Sequence, residues 1–91
     1  MSKLSTQRVR QDLIDKCLDG DDYYVNFIAK ELDKELVRIF STQMGWSDDT
    51  IDKSLEHARR DPKNIIVQYY FMKSDAWLRK QHKVEFPKEV A

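Results

Sequence analysis

The backbone of this chain carries almost no punctuation: 91 residues contain only two glycines, Gly20 and Gly45, and two prolines, Pro62 and Pro87. A β-sandwich of this length needs turn signals about every 8–12 residues, and they are missing. Between the breakers, apolar residues recur at three- and four-residue spacing, the period of one helix face. Charged residues make up 35% of the chain and AVILMFWYC residues 41%. That balance suits amphipathic helices around a small core. A single domain of this size buries only about two-thirds of its unfolded surface.

The first helix is expected to start at Ser5 or Thr6, with Ser5 accepting an orphan backbone N–H and Leu4 and Val9 as a hydrophobic staple. Val9, Leu13, Ile14, Cys17 and Leu18 give its apolar face, and Gly20 ends it in a left-handed conformation. Asp21 or Asp22 caps the second. Its stripe is Val25, Ile28, Leu32, Leu36, Ile39 and Phe40, and it is either one helix of about 34 Å to Met44 or two with a break near Asp33–Lys34. Gly45 stops it. Ser47 caps the next helix, with Asp48 and Asp49 in the first turn and His57, Arg59 and Arg60 in the last, as the helix dipole favours. Asp61-Pro62 is a cap with proline at the first helical position, so the last helix is expected over Pro62–Lys80. From Ile65 to Met72 it is apolar nearly all round, which places it at the centre of the core or against a second subunit. Its β-branched and aromatic residues also suit a strand, but no second strand exists to pair with it. Residues 1–80 thus form the domain and Gln81–Ala91 an extended or disordered tail.

Cys17 is the only cysteine, so no intramolecular disulfide or cysteine zinc site is available, and a reducing, cytoplasmic setting is expected. Its place on an apolar face makes it a small core residue rather than a nucleophile. His57 and His82 lack ligand-spaced partners, the acids lack EF-hand spacing, and two isolated glycines cannot form a phosphate loop. No enzyme activity, metal or cofactor is expected. No run of about 18 apolar residues exists to span a membrane, and MSKLSTQ lacks the apolar core of a secretory signal.

The formal net charge is +0, unlike the basic balance of most nucleic-acid binders. The charge is unevenly spread: residues 1–10 carry +3, residues 11–36 −5, residues 37–61 −1 and residues 62–91 +3. Such polarity suits a dimer or a partner of opposite pattern. Arg79, Lys80, His82 and Lys83 follow Trp77, and Lys3, Arg8 and Arg10 lie near the start. Either group could meet phosphates, but a solvated charged surface explains both. Tyr23-Tyr24 and Tyr69-Tyr70 are adjacent pairs, whose members point about 100° apart on a helix. Tyr69 is expected to pack inside, with Tyr24 and Tyr70 open to either role.

One stretch carries a functional hint. In FSTQMGWSDDTIDKSL, Phe40–Leu55, small Ser41 stands four residues before Gly45, Met44 and Trp46 flank the glycine, and Ile51 and Leu55 follow at helical spacing. This layout resembles the helix-turn-helix of Cro-like repressors, with its centre at Leu36–Arg60. The resemblance implies a reading helix in the major groove and a dimer on the DNA. Ser47, Thr50 and Lys53 would meet base edges, and Arg59 and Arg60 phosphates. Asp48 and Asp49 depart from that family's usual Gln, Ser, Thr or Arg and would repel phosphates. Met44-Gly45-Trp46 also resembles the Met-Gly-Phe loop of ubiquitin-associated domains, which implies an apolar patch for a protein, with Asn64–Phe71 as the third helix. A plain helical hairpin with a glycine turn has the same pattern.

The expectation is therefore an all-α bundle of four to five helices with a helix-turn-helix-like centre. Its leading function is DNA-binding transcription regulation, by a dimer paired through the Ile65–Leu78 helix. The alternative is a protein-binding module or inhibitor docking through the acidic helix or through Met44, Trp46, Asp48 and Asp49. Small size alone suggests a phage or mobile element as the source.

Overall fold

A computed structural model describes residues 4–87 as five helices, with no strand among them: α1 Thr6–Leu18, α2 Asp22–Thr42, α3 Asp48–Arg59, α4 Pro62–Phe71 and α5 Asp75–Glu85. Every helix is capped by a side chain that accepts a backbone N–H of its first turn: Ser5, Asp21, Ser47, Asp61 and Ser74. A cap of this kind stabilises a helix by about 0.5–2 kcal/mol, so the boundaries are set locally. The Asp22–Met44 question resolves as one unbroken helix to Thr42.

The expected Pro62–Lys80 helix is instead two. At the end of α4 the Met72 N–H turns onto the carbonyls of Gln68 and Tyr69 and the Lys73 N–H onto that of Tyr70, which tightens the last turn. Ser74 then accepts the Trp77 N–H and opens α5. Helix α5 also overruns the expected tail, since Gln81–Glu85 are helical. Contacts to α1 hold them: His82 Nε2 lies 3.0 Å from Asp12 Oδ2, and Lys16 Nζ lies 3.1 Å from the Glu85 carboxylate. The rest of the tail, residues 88–91, lies outside the described residues, as does Lys3.

Helix α4 is the hub, packed against α1, α2 and α3. Along its apolar run Ile65 and Ile66 are buried, Val67, Tyr69 and Tyr70 are half-buried, and Gln68, Phe71 and Met72 are exposed. Two cores flank it. The first joins Ala29, Leu36 and Phe40 of α2 to Ile51, Leu55 and Ala58 of α3 and Ile65 of α4. The second joins Val9 and Leu13 of α1 to Leu78 of α5, with Tyr70, Trp77 and Phe86 packed on it. The molecule measures 47 × 30 × 17 Å. Its thinnest dimension is less than two helix diameters, so the helices keep outward faces.

Gly20 does not end α1 as expected. The cap is Asp19 in right-handed geometry, and Gly45 is the one glycine with positive φ among the described residues. Gly20 serves a close approach instead: a Cβ there would overlap the Tyr24 ring.

Candidate functional site

The α2–α3 junction forms from short-range contacts. Gly45 takes φ +67° and lets the Trp46 N–H reach the Phe40 carbonyl at 2.9 Å. The Trp46 ring then stacks on Phe40, 4.6 Å between centroids at 16°. That half-buries Trp46 against the first core and leaves Met44 as the exposed apolar side chain of the Met44-Gly45-Trp46 patch. Ser41, expected to be small so that two helices could pack closely, is exposed.

The five residues expected to touch DNA all have partners within the chain. Ser47 accepts the Thr50 N–H at 3.3 Å, and the two hydroxyls lie 2.9 Å apart. Lys53 pairs with Asp49 at 3.2 Å. Arg59 reaches from α3 to Asp33 on α2 at 2.8 Å and to Asp52 at 3.0 Å. The Asp33 hydrogen bond is the main reason its pKa lies above the ordinary arginine value. Arg60 pairs with Glu56 at 3.3 Å. Asp48 and Asp49 face water. The structure thus gathers Ser47, Thr50 and Lys53 at one end of α3 and Arg59 and Arg60 at the other, on a helix whose cations are met by carboxylates. Exposed pairs of this kind are weak, about 0–1 kcal/mol each, so they mark local neutrality more than stability.

Three arginines near the termini are similarly engaged. Arg8 bonds Asp12 at 3.0 Å, Arg79 bonds Asp75 at 2.9 Å, and the Arg10 guanidinium lies 4.6 Å from the Phe71 ring centroid. His82 turns inward, 5% exposed, rather than outward with Lys80 and Lys83.

A different surface lies around the N-terminal half of α2. A cleft of about 770 Å³ opens between α1 and α2, with α4 and α5 also contributing walls. Helix α1 supplies Leu13 and Cys17, α2 supplies Tyr24, Ile28 and Leu32, α4 supplies Tyr69 and Tyr70, and α5 supplies Trp77 and Gln81. The three rings of α4 and α5 contact one another: Tyr69 meets Tyr70 edge-on at 5.5 Å and Trp77 at 6.1 Å, and Tyr70 meets Trp77 at 6.2 Å. Cys17 Sγ lies 3.3 Å from the Tyr70 hydroxyl. Burial, then that hydrogen bond, pushes the Tyr70 pKa well above the ordinary phenol value. Lys73 Nζ lies over Tyr69 at 4.6 Å and Trp77 at 4.9 Å.

At the mouth stand Asp19, Asp21 and Glu85. Asp21 caps α2, and Asp19 and Asp22 form no ion pair among the described residues. Beside it, Tyr23, Tyr24 and Phe27 are 82%, 44% and 52% exposed. Phe27 borders a second groove, of about 710 Å³, that runs to Arg59 and Pro62. Sequence reasoning left Tyr24 open and did not single out Phe27. The available signal was local: three aromatics within five residues of α2, off the Val25–Leu36 stripe.

Among the described residues no group of three or more His, Cys, Asp or Glu side chains could hold a metal ion, and no helix is long and apolar enough to cross a membrane. Comparison with protein families, curated protein sequences and solved structures gives no match.

Proposed function

We propose that this chain is a non-enzymatic protein-binding module that docks through the N-terminal half of α2 and the adjoining cleft. The observation that carries this reading is the exposure of Tyr23, Tyr24 and Phe27 together on one helix, beside carboxylates without ion-pair partners. Aromatic side chains are the commonest energetic anchors of interfaces, and a contiguous exposed apolar patch with a polar rim marks an interaction site. The charge pattern of α3 supports the same choice between the two expected functions. A duplex approaching α3 would meet Asp48 and Asp49, and cations already held by Asp33, Asp49, Asp52 and Glu56. Counter-ion release, the main source of non-specific DNA affinity, needs free cations.

The test is capture from a lysate of the source cells by the full immobilised chain, alongside Tyr23→Ala/Phe27→Ala and Lys53→Ala/Arg59→Ala variants. The expected result is a specific partner held by the wild type and by the α3 variant, and lost by the α2 variant. Two results would overturn the proposal. One is a partner that depends on α3 and not on α2. The other is binding to mixed duplex DNA at about 50 mM salt that falls steeply by about 200 mM.

A further inference from the structure

We infer that the cleft between α1, α2, α4 and α5 receives a basic amphipathic segment of the partner protein. An aliphatic side chain of that segment enters against Ile28 and Leu32, and a lysine or arginine lies along the Tyr24–Tyr70–Trp77 wall towards Asp19 and Asp21. This inference rests on the docking role proposed above and specifies the chemistry of the partner.

Charge complementarity decides the sign of the occupant. The mouth carries Asp19, Asp21 and Glu85 against a single cation, Lys16. Lys16 is already committed: its Nζ bonds the Glu85 carboxylate at 3.1 Å and the Glu85 carbonyl at 2.9 Å, and lies 4.9 Å from the Phe86 centroid. At the mouth an acidic segment would face these carboxylates with no free cation among them, and like-charge juxtaposition at an interface is strongly disfavoured. A basic segment meets the opposite arrangement.

The aromatic wall points the same way. Lys73 Nζ already takes one side of the ring cluster, 4.6 Å from Tyr69 and 4.9 Å from Trp77, which leaves Tyr24 and Tyr70 as the rings with no cation over them among the described residues. Ring faces attract cations through their quadrupole, most strongly for tryptophan and where water is excluded. The long stem of a lysine or arginine also covers apolar surface while its charge stays at the mouth. Shape favours a short helix as the inserted element. Tyr24, Ile28 and Leu32 mark two turns of α2, about 12 Å at 1.5 Å per residue, and a helix laid along them would pack as one more member of the bundle.

The experiment uses three peptides of about 18 residues, long enough to form helix. All share one leucine stripe, and their polar positions are all lysine, all glutamine or all glutamate. Each is titrated into the isotope-labelled full chain, and the two tryptophan indole N–H signals are followed. Trp77 reports the cleft and Trp46, stacked on Phe40 in the other core, is the internal control. Binding of the lysine peptide that moves Trp77 and not Trp46 is expected. Asp19→Asn/Asp21→Asn should weaken it about three- to tenfold, while Asp48→Asn/Asp49→Asn should not. Asparagine caps a helix as well as aspartate does, so the cleft variant keeps α2. Equal or tighter binding of the glutamine or glutamate peptide at Trp77 would overturn the basic partner. A lysine peptide that leaves Trp77 unmoved, moves Trp46 equally, or responds equally to both double variants would overturn the cleft as its seat. The docking reading is judged separately, by whether capture from the lysate depends on Tyr23 and Phe27.

Discussion

The α2–α3 junction and the α1–α2–α4–α5 cleft are built by opposite means. At the junction, most interactions close between near neighbours: Ser47 with Thr50, Lys53 with Asp49, Arg60 with Glu56, Trp46 with Phe40. The reach from Arg59 to Asp33 is the exception. Around the cleft they close across the chain: Lys16 with Glu85 and Cys17 with Tyr70 on its lining, and Asp12 with His82 where α1 meets α5. The local region ends with its cations matched and its tryptophan stacked on Phe40. The long-range region leaves aromatic rings and carboxylates facing a cavity. A strong local motif therefore located a turn, while the surface with unmet binding capacity lay where distant segments converge.

The largest expected effects test whether the two regions are one folding unit. Leu78 and Leu36 are each 0% exposed, one in each core. Leu78→Ala and Leu36→Ala should each cost about 2–5 kcal/mol, the usual range for a leucine cavity. Because α4 packs on α1, α2 and α3, each variant should unfold in one cooperative step, with α1 and α3 amides losing protection from hydrogen exchange together. If α3 keeps its protection in Leu78→Ala while α1 loses it, the two regions fold separately and the hub role of α4 is wrong.

What could be read in the sequence divides along the same line. Ser5, Asp21, Ser47 and Asp61 are legible as caps because a cap needs only its own next few residues. Ser74-Asp75 repeats the Ser47-Asp48 signal, but the apolar run Ile65–Met72 before it reads as one continuing helix. The stop follows from the fold, in which α5 turns back to pack on α1. The Gly45 turn was legible from its glycine and its flanking residues. The role of Gly20 was not, since it depends on where the Tyr24 ring lies. Among the candidate site residues, the identities of Ser47, Lys53 and Arg59 were plain, but their pairing with Thr50, Asp49 and Asp33 was a matter of geometry. The cleft could not be read at all, because no local pattern brings Cys17 to Tyr70.

A middle-sized effect contrasts one polar contact from each region. His82 is 5% exposed and its carboxylate partner Asp12 is also held by Arg8. His82→Ala removes a buried ring and leaves Asp12 one partner short, so a loss of about 1–3 kcal/mol is expected. Lys53→Ala breaks an exposed pair and should stay within about 0.5 kcal/mol of wild type. Urea titration of the two variants is the check. A loss in His82→Ala no larger than in Lys53→Ala would mean that α5 is not pinned to α1 through this contact.

The effects at the two glycines should differ in kind, the smaller of them at Gly20. At Gly45 a Cβ would meet nothing within 4 Å, but φ is +67°. Gly45→Ala should therefore cost about 1–2 kcal/mol through the left-handed backbone alone and leave both indole signals in place. At Gly20 the backbone is ordinary and the obstruction is the Tyr24 ring, 44% exposed and free to swing towards water. Gly20→Ala should change stability by less than about 1 kcal/mol, since the ring can give way and alanine loses less chain entropy on folding. It should nevertheless displace the Tyr24 ring resonances and disturb Trp77 across the cleft. A Gly20→Ala protein with unshifted Tyr24 signals would mean that the ring does not lie over Gly20 in solution, and the α2 wall of the cleft would then rest on Ile28 and Leu32 alone.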